Sequence, residues 1–487
     1  MNRVKLAGFL SGPILFVFVY FILTRWTGLS IEACKVLATA SLMVAWWVTE
    51  AVHVSVTALI PMVFLPMLGI ITIREATASY GNPVIFLFMG GFIIALALEK
   101  HNLHQRIALN LIKLTGTSGN GVIAGFMLST GIISMWISNT ATAIMMLPIA
   151  VSVTRLLSGE LSASVVPEKN YRNFATGLML SIAYAASIGG MTTIIGTPPN
   201  VVMTGLYRQT YDTDITFVEW VRVGFPVSVS VLIICYLLIT RVIFPNHLKK
   251  VEGSAELINQ KLKALGRISK AETLVLIVFF ITSFCWVFRP YVNEWLSSVF
   301  YPTLEPKDIL NDTVIAMAGG LLMFSIPISL KSGTFILSWD DTLKLPWGIL
   351  ILFGGGMCLA KSLEDVGLIQ EIGASIASQR GVSLWVLVLA LAGISMFLTE
   401  LMSNVALTTI FVPVVFGIAD GLGQDPLMLA IPVTFAASCA FSMPVSTPPN
   451  AILFASGHIR LKDMMKAGII LNILSLIAIV LLCMLLL

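Results

Sequence analysis

Ser134-Met-Trp-Ile-Ser138-Asn139-Thr140-Ala141 and Thr399-Glu-Leu-Met-Ser403-Asn404-Val405-Ala406 are the two stretches on which the reading of this chain turns. Each sets a small polar group in the middle of a long apolar segment, and each has a proline beyond it at the matching place, Pro148 and Pro413. Polar groups at that depth are expensive unless the chain reverses there and uses them, because a reversal leaves helix-terminal N–H and C=O groups without intrahelical partners. The pattern predicts two helical hairpins, near 119–157 and 381–418, with the polar triads at their tips. For one triad alone, hydrogen-bonding between neighbouring helices would explain the residues as well. Duplication at matched positions favours a site.

Working outward, the same offset continues. Phe88-Met-Gly90-Gly91 and Glu99-Lys-His-Asn-Leu103 match Phe353-Gly-Gly355-Gly356 and Glu364-Asp-Val-Gly-Leu368. After a change in loop length, Gly196-Thr197-Pro198-Pro199-Asn200 matches Ser446-Thr447-Pro448-Pro449-Asn450. Four landmarks in one order make the chain a duplication. The expected layout is an N-terminal helix (1–33), a first repeat (34–245) with a broken helix near 173–207, a basic cytoplasmic linker (246–271), and a second repeat (272–487) with a broken helix near 427–457. An odd number of crossings per repeat turns the second upside down, an arrangement that secondary transporters use with the site at the repeat interface.

Composition fixes the surroundings. Of 487 residues 57% are hydrophobic and 11% charged, with a mean hydropathy of +0.94, whereas a soluble protein is roughly a quarter charged. Apolar runs recur from Leu6–Leu23 to Ile469–Leu487 without period-2 alternation, so the fold class is an all-α polytopic membrane protein in a lipid bilayer. The start Met1–Lys5 reads as the cytoplasmic end of an uncleaved first helix. Lys249, Lys250, Lys261, Lys263, Arg267 and Lys270 cluster in the central linker, with Lys100, Arg106 and Lys113 before it and Arg460, Lys462 and Lys466 near the end. The positive-inside rule makes these loops cytoplasmic, provided that the two hairpins enter and return without crossing. Six cysteines without metal-ligand spacing read as small core residues. No HExxH, GxSxG or Walker A pattern occurs, so no enzyme is expected, and no nucleic-acid partner.

A hairpin tip presents one helix C-terminus and one helix N-terminus, so its carbonyls suit a cation while its amides, hydroxyls and Asn side chain suit an anion. Thr197-Pro198-Pro199 and Thr447-Pro448-Pro449 break apolar helices, since proline lacks an N–H and displaces the residue before it from the α region. The freed carbonyls are oxygen ligands for a hard cation such as sodium. Neither triad nor either Thr-Pro-Pro element has a basic sequence neighbour, and Glu400 is the one close charge. A dianion in such a place is poorly neutralised unless bound cations supply charge, which is a physical reason for coupling. His53 is more readily a packed or interfacial histidine than a proton relay.

At these residues the chain resembles the divalent anion:sodium symporter family, the dicarboxylate, citrate and sulfate carriers, and within it the bacterial sodium-dependent dicarboxylate branch. The resemblance runs nearly end to end and includes Trp46-Trp47-Val-Thr-Glu50-Ala and Asn82-Pro83-Val-Ile-Phe-Leu-Phe-Met-Gly90-Gly91. It implies a homodimer of eleven-helix protomers in the bacterial inner membrane, with an elevator-type transport domain sliding against a scaffold. It implies one sodium site at Ser134, Ser138, Asn139 and Gly196, and another at Thr399, Met402, Asn404 and Ser446. Substrate would be surrounded by Ser138, Asn139, Thr140, Thr197, Pro198, Ser403, Asn404, Val405, Thr447 and Pro448. Two departures stand out: Val405 where the family commonly has threonine, and His53 with Ser55 where prolines are usual. The function expected is sodium-coupled uptake of succinate, fumarate or malate. The alternatives are exchange of dicarboxylate or citrate without sodium, and sulfate symport.

Overall fold

Helices carry almost the whole chain in the computed structural model, which describes residues 3–155, 167–300, 309–371 and 383–487. Met1 and Asn2, and the expected hairpin limits at 156–157 and 381–382, lie outside the described residues. In chain order the helices are α1 (Arg3–Trp26), α2 (Ile31–Thr49), α3 (Val54–Thr57), α4 (Ile60–Met67), α5 (Ile73–Tyr80), α6 (Pro83–Lys100), α7 (Leu103–Leu114), α8 (Gly119–Ser134), α9 (Asn139–Arg155), α10 (Glu168–Gly190) and α11 (Pro198–Tyr211). There follow α12 (Phe217–Leu237), α13 (Ser254–Ala264), α14 (Lys270–Val287), α15 (Arg289–Phe300), α16 (Asp312–Ser325), α17 (Trp347–Asp365), α18 (Leu384–Thr399), α19 (Asn404–Leu422), α20 (Pro426–Ser438), α21 (Pro448–Phe454) and α22 (Leu461–Leu486).

Eight helical stretches among the described residues are long and apolar enough to cross a bilayer, and five shorter apolar helices accompany them. The shorter ones include α8, α18 and α20, which stop where a polar tip or an unwound segment begins. The protein is thus an all-helical polytopic membrane protein with one small exception. Pro327–Ser329 and Thr334–Phe335 form a two-stranded antiparallel hairpin, β1 and β2, after α16. The all-α reading did not foresee it. Pro327 lacks the N–H a continuing helix needs, and Gly333, at φ +62°, supplies the left-handed residue of the turn.

Local chemistry sets the helix starts. Thr72 with Glu75, Thr216 with Glu219 and Ser269 with Glu272 are reciprocal capping boxes for α5, α12 and α14. Asn82 caps α6, with Pro83 at its first position. Lipid tails are as apolar as side chains, so helices here associate through close packing rather than through expulsion of water. Gly90 on α6 and Gly355 on α17 show how: a Cβ on the first would collide with the Ala316 backbone of α16, and on the second with the Ala58 carbonyl after α3.

Two packed groups result. One, the hairpin bundle, joins α8, α9 and α10 with α11, α12 and α18 to α22; the other, the framework, joins α1, α2, α4, α5, α6, α14, α16 and α17. Within the hairpin bundle the repeats interlock: α21 packs on α9 and α10, while α11 packs on α19 and α20. This crossing brings the two helix breaks into contact. The two groups meet where α11 and α19 lie on α17 and α11 touches α6. The basic linker is not a bare tether. It contains α13, returns Leu248 and Val251 to the loop before α8 through backbone hydrogen bonds with Gly119 and Thr117, and is gripped by Arg106, which reaches the Leu265 and Gly266 carbonyls and Glu272.

Candidate functional site

The first tip is the turn between α8 and α9. Ser134, the last residue of α8 and fully buried, places its Oγ 2.6 Å from Asn139 Oδ1 and 2.7 Å from the Ala186 carbonyl of α10. The second tip repeats the arrangement with a threonine. Thr399, the last residue of α18, places Oγ1 2.8 Å from Asn404 Oδ1 and 2.6 Å from the Ala437 carbonyl of α20. A hydroxyl carries one proton, so one of its two close oxygen contacts has none. Either the Asn amide turns its Nδ2 toward the hydroxyl, or a cation sits among the oxygens. The hydroxyl, the Asn side chain and the alanine carbonyl bring oxygens together at both tips alike, a donor set of the kind a hard monovalent cation takes.

The unwound segments close each group from the other side. After α10 the chain passes through a short 3₁₀ turn, Ile194–Gly196, to the extended Thr197, and α11 starts at Pro198. A Cβ on Gly190 would lie 2.6 Å from Asn139 Oδ1 and 3.1 Å from Thr197 Cβ, so the bare glycine lets the hairpin tip and the break touch. The carbonyl of Gly196 faces two prolines without N–H, and the next amide, that of Asn200, is given to the Thr197 carbonyl at 3.2 Å. In the second repeat Thr447 is extended and Pro448 starts α21. The two breaks abut: Cys439 Sγ lies 3.8 Å from Met191 Sδ, and the Tyr184 and Phe441 rings are 5.0 Å apart.

The sequence-derived residues fall as follows. Ser134, Gly196 and Thr197 are buried and gathered with the half-buried Asn139, Thr140 and Pro198, while Ser138 is exposed and its Oγ accepts from the Ala141 amide. In the second repeat Thr399 and Thr447 are buried, Met402, Ser403, Asn404, Val405 and Ser446 half-buried, and Pro448 exposed. No hydrogen bond directly joins one tip to the other among the described residues. Met402 and Val405 pack against the apolar framework cluster that includes Trp47 and Ala58, which gives the valine a packing contact where a hydroxyl was expected. His53 is exposed and caps α3, its Nδ1 accepting from the Ser55 amide, and the six cysteines are unpaired.

Three features were not assigned from the sequence. Glu400, at the second tip, is held wholly by neutral donors: Oε1 accepts from the Ser442 amide at 2.8 Å and Asn472 Nδ2 at 2.7 Å, and Oε2 from Ser446 Oγ at 2.6 Å and the Met443 amide at 3.2 Å. One carboxylate thus ties tip, break and α22 together. At the first tip Met135 occupies the matching place, and its carbonyl accepts from Thr193 Oγ1 at 2.6 Å. Second, the alanine carbonyls at 186 and 437 carry no side-chain signal. Third, Asn200 and Asn450, the last letters of the Pro-Pro-Asn elements, are buried and bond the broken backbone. Their duplication was the available signal.

The fold is that of a helical membrane protein with two broken helices and two like polar turns. The chain belongs to the family described as the sodium:sulfate symporter transmembrane region, matched over residues 5–486, a family of transporters and not of enzymes. It is 38% identical over 481 residues to the sodium-dependent dicarboxylate transporter SdcS of Staphylococcus saprophyticus, covering 99% of this chain and 91% of that one. The namesake in Staphylococcus aureus strain USA300 is 37% identical over 483 residues, 98% and 90% of the two chains. Among solved structures, MtrF of Neisseria gonorrhoeae superposes with a TM-score of 0.58 at 12% identity (86% of this chain, 83% of that one). The YdaH transporter of Alcanivorax borkumensis superposes at 0.57 and 14% identity (86% and 88%). At such identities these two share the fold alone.

Proposed function

We propose that the protein is a sodium-coupled symporter that carries C4-dicarboxylates such as succinate, fumarate and malate into the cell. The observation that carries the reading is the pair of hydroxyl–asparagine–carbonyl groups, Ser134–Asn139–Ala186 and Thr399–Asn404–Ala437, built alike at the two tips. Sodium occupies each cluster, with Ser138 and Gly196 completing the first and Met402 and Ser446 the second. The anion lies between the tips, against Ser138, Asn139, Thr140, Thr197 and Pro198 on one side and Ser403, Asn404, Val405, Thr447 and Pro448 on the other. The N-termini of α9, α11 and α19 begin at these residues, so their partial positive charge favours the carboxylates. The described polar contacts of the tips include no Lys or Arg. Two sodium ions then balance a dianion that would otherwise be held uncompensated in a low-dielectric site.

The repeats, 34–245 and 272–487, are inverted about the linker 246–271, with re-entrant hairpins that stop at midplane. Movement is elevator-like: the hairpin bundle slides on the framework carrying both sites with it. The N-terminus is cytoplasmic, the membrane is the bacterial inner membrane, and two copies pair through the framework. The relatives named for sodium-dependent dicarboxylate transport support the substrate class. The test is uptake of radiolabelled succinate into proteoliposomes that contain no internal substrate, with external sodium or with choline or potassium in its place. Uptake only with sodium is expected; uptake that requires internal dicarboxylate and ignores sodium identifies an exchanger.

A further inference from the structure

We infer that Asn200 and Asn450 are the positioning residues of the two ion sites, each holding in shape the unwound backbone that closes its site. The inference rests on the two-site reading above. Both side chains are fully buried. Asn200 Nδ2 donates to the Gly190 carbonyl at 3.1 Å and the Thr193 carbonyl at 2.8 Å; Asn450 Nδ2 donates to the Ala440 carbonyl at 2.8 Å and the Met443 carbonyl at 3.0 Å. The acceptors occupy the same places relative to the asparagine in both repeats.

Carbonyls cannot donate, so the orientation of each amide is fixed by its partners, and both N–H bonds of each are used. Each Oδ1 points away and, buried, meets no donor. The same donor geometry at matched positions in both repeats marks the donor end as the reason for the residue.

A helix broken by Pro198-Pro199 or Pro448-Pro449 loses N–H groups from its ladder, so the unwound stretch before the prolines must be held by partners within the protein. The asparagine amide is such a partner: it reaches back ten and seven residues, to the Gly190 and Thr193 carbonyls in one repeat and to the Ala440 and Met443 carbonyls in the other, and so spans that stretch. Gly190, one of the residues so reached, is also the wall against Asn139, and the Met443 amide, on another, donates to Glu400. Releasing the amide therefore displaces the ion site itself, not a remote part of the bundle.

The test is sodium-dependent thermal stabilisation of the purified full-length protein in detergent, titrated at fixed ionic strength with choline as replacement, for wild type, Asn200→Ala, Asn450→Ala, Asn200→Ser and Asn450→Ser. An ion that binds only the folded state raises the melting temperature with a midpoint set by its affinity. The alanine variants are expected to shift that midpoint to higher sodium on the order of tenfold, and the serine variants, which keep one donor, by less. Variants that melt lower by the same amount at every sodium concentration, with the wild-type midpoint, would overturn the inference and leave only a structural role. If the alanine proteins do not fold, the serine pair decides by the same criterion. A wild type that sodium does not stabilise would overturn the two-site reading and this inference with it; a wild type that titrates while the variants titrate identically overturns the inference alone.

Discussion

Replacing Thr399 with valine removes one oxygen and keeps the shape of the side chain. Thr399 Oγ1 lies 2.8 Å from Asn404 Oδ1 and 2.6 Å from the Ala437 carbonyl, and the residue is fully buried. Valine therefore withdraws an oxygen from the proposed second sodium site and leaves a buried carbonyl and an amide facing a methyl group. Losing one partner of a buried polar group costs about 1–3 kcal/mol, a factor of roughly 5 to 150 in a binding constant. Part of this falls on folding, where water cannot enter to compensate, and the remainder on ion affinity. The assay is equilibrium binding of labelled succinate to purified protein across a sodium series at constant ionic strength, so that general screening stays fixed. The sodium concentration giving half-maximal binding should rise, by up to about 150-fold where the whole cost falls on the ion, and binding should recover at high sodium. An unchanged midpoint in a folded Thr399→Val protein would refute the assignment of this hydroxyl to an ion.

Three further expectations follow from the same geometry. Asn139→Ala and Asn404→Ala should each abolish succinate uptake while leaving expression and solution mass unchanged, because in the proposed site each asparagine serves ion and anion; near wild-type uptake by either removes the site assignment. Glu400→Gln puts an N–H where two donors already point, so it should lower stability by about 1–3 kcal/mol and weaken sodium binding, and an unaltered melting curve would show that the carboxylate does not tie tip to break. Burial holds the His104 imidazole below its usual pKa, against a hydrogen bond in which Nδ1–H donates to the Leu98 carbonyl at 3.0 Å. A base whose folded pKa is depressed stabilises the fold above its unfolded value and loses that contribution as pH falls below about 6.5, at no more than about 1.4 kcal/mol per pH unit. His104→Asn should flatten the decline in melting temperature across that window, and an identical slope would exclude His104 as its source.

The all-helical membrane fold was legible from the long apolar runs, and helix ends fall at the polar cluster around Ser138 and before Pro198 and Pro448 because polar and proline-rich clusters interrupt a helix ladder. What escaped was whatever depends on backbone or on chain-distant partners. The alanine carbonyls at 186 and 437 are chemically central, yet alanine says nothing about its carbonyl. Glu400 was visible as a charge, but its donors come from α22 and from the segment after α20, which no spacing rule connects to residue 400. Asn472 stood out as an amide in an otherwise apolar helix and could have been read as its partner. The linker read as a connector because its Lys residues dominate its composition, whereas its backbone and the grip of Arg106 decide where it lies. Val405 looked like the loss of a substrate contact, and in the fold it packs on the framework.

The central claim is that sodium makes the site able to hold a dianion. It is tested most directly on the wild-type protein, by measuring succinate affinity with and without sodium and sodium affinity with and without succinate, at one ionic strength. Linkage requires the two ratios to be equal, and the account predicts both to be well above one. Equal succinate affinity in sodium and in choline would contradict it.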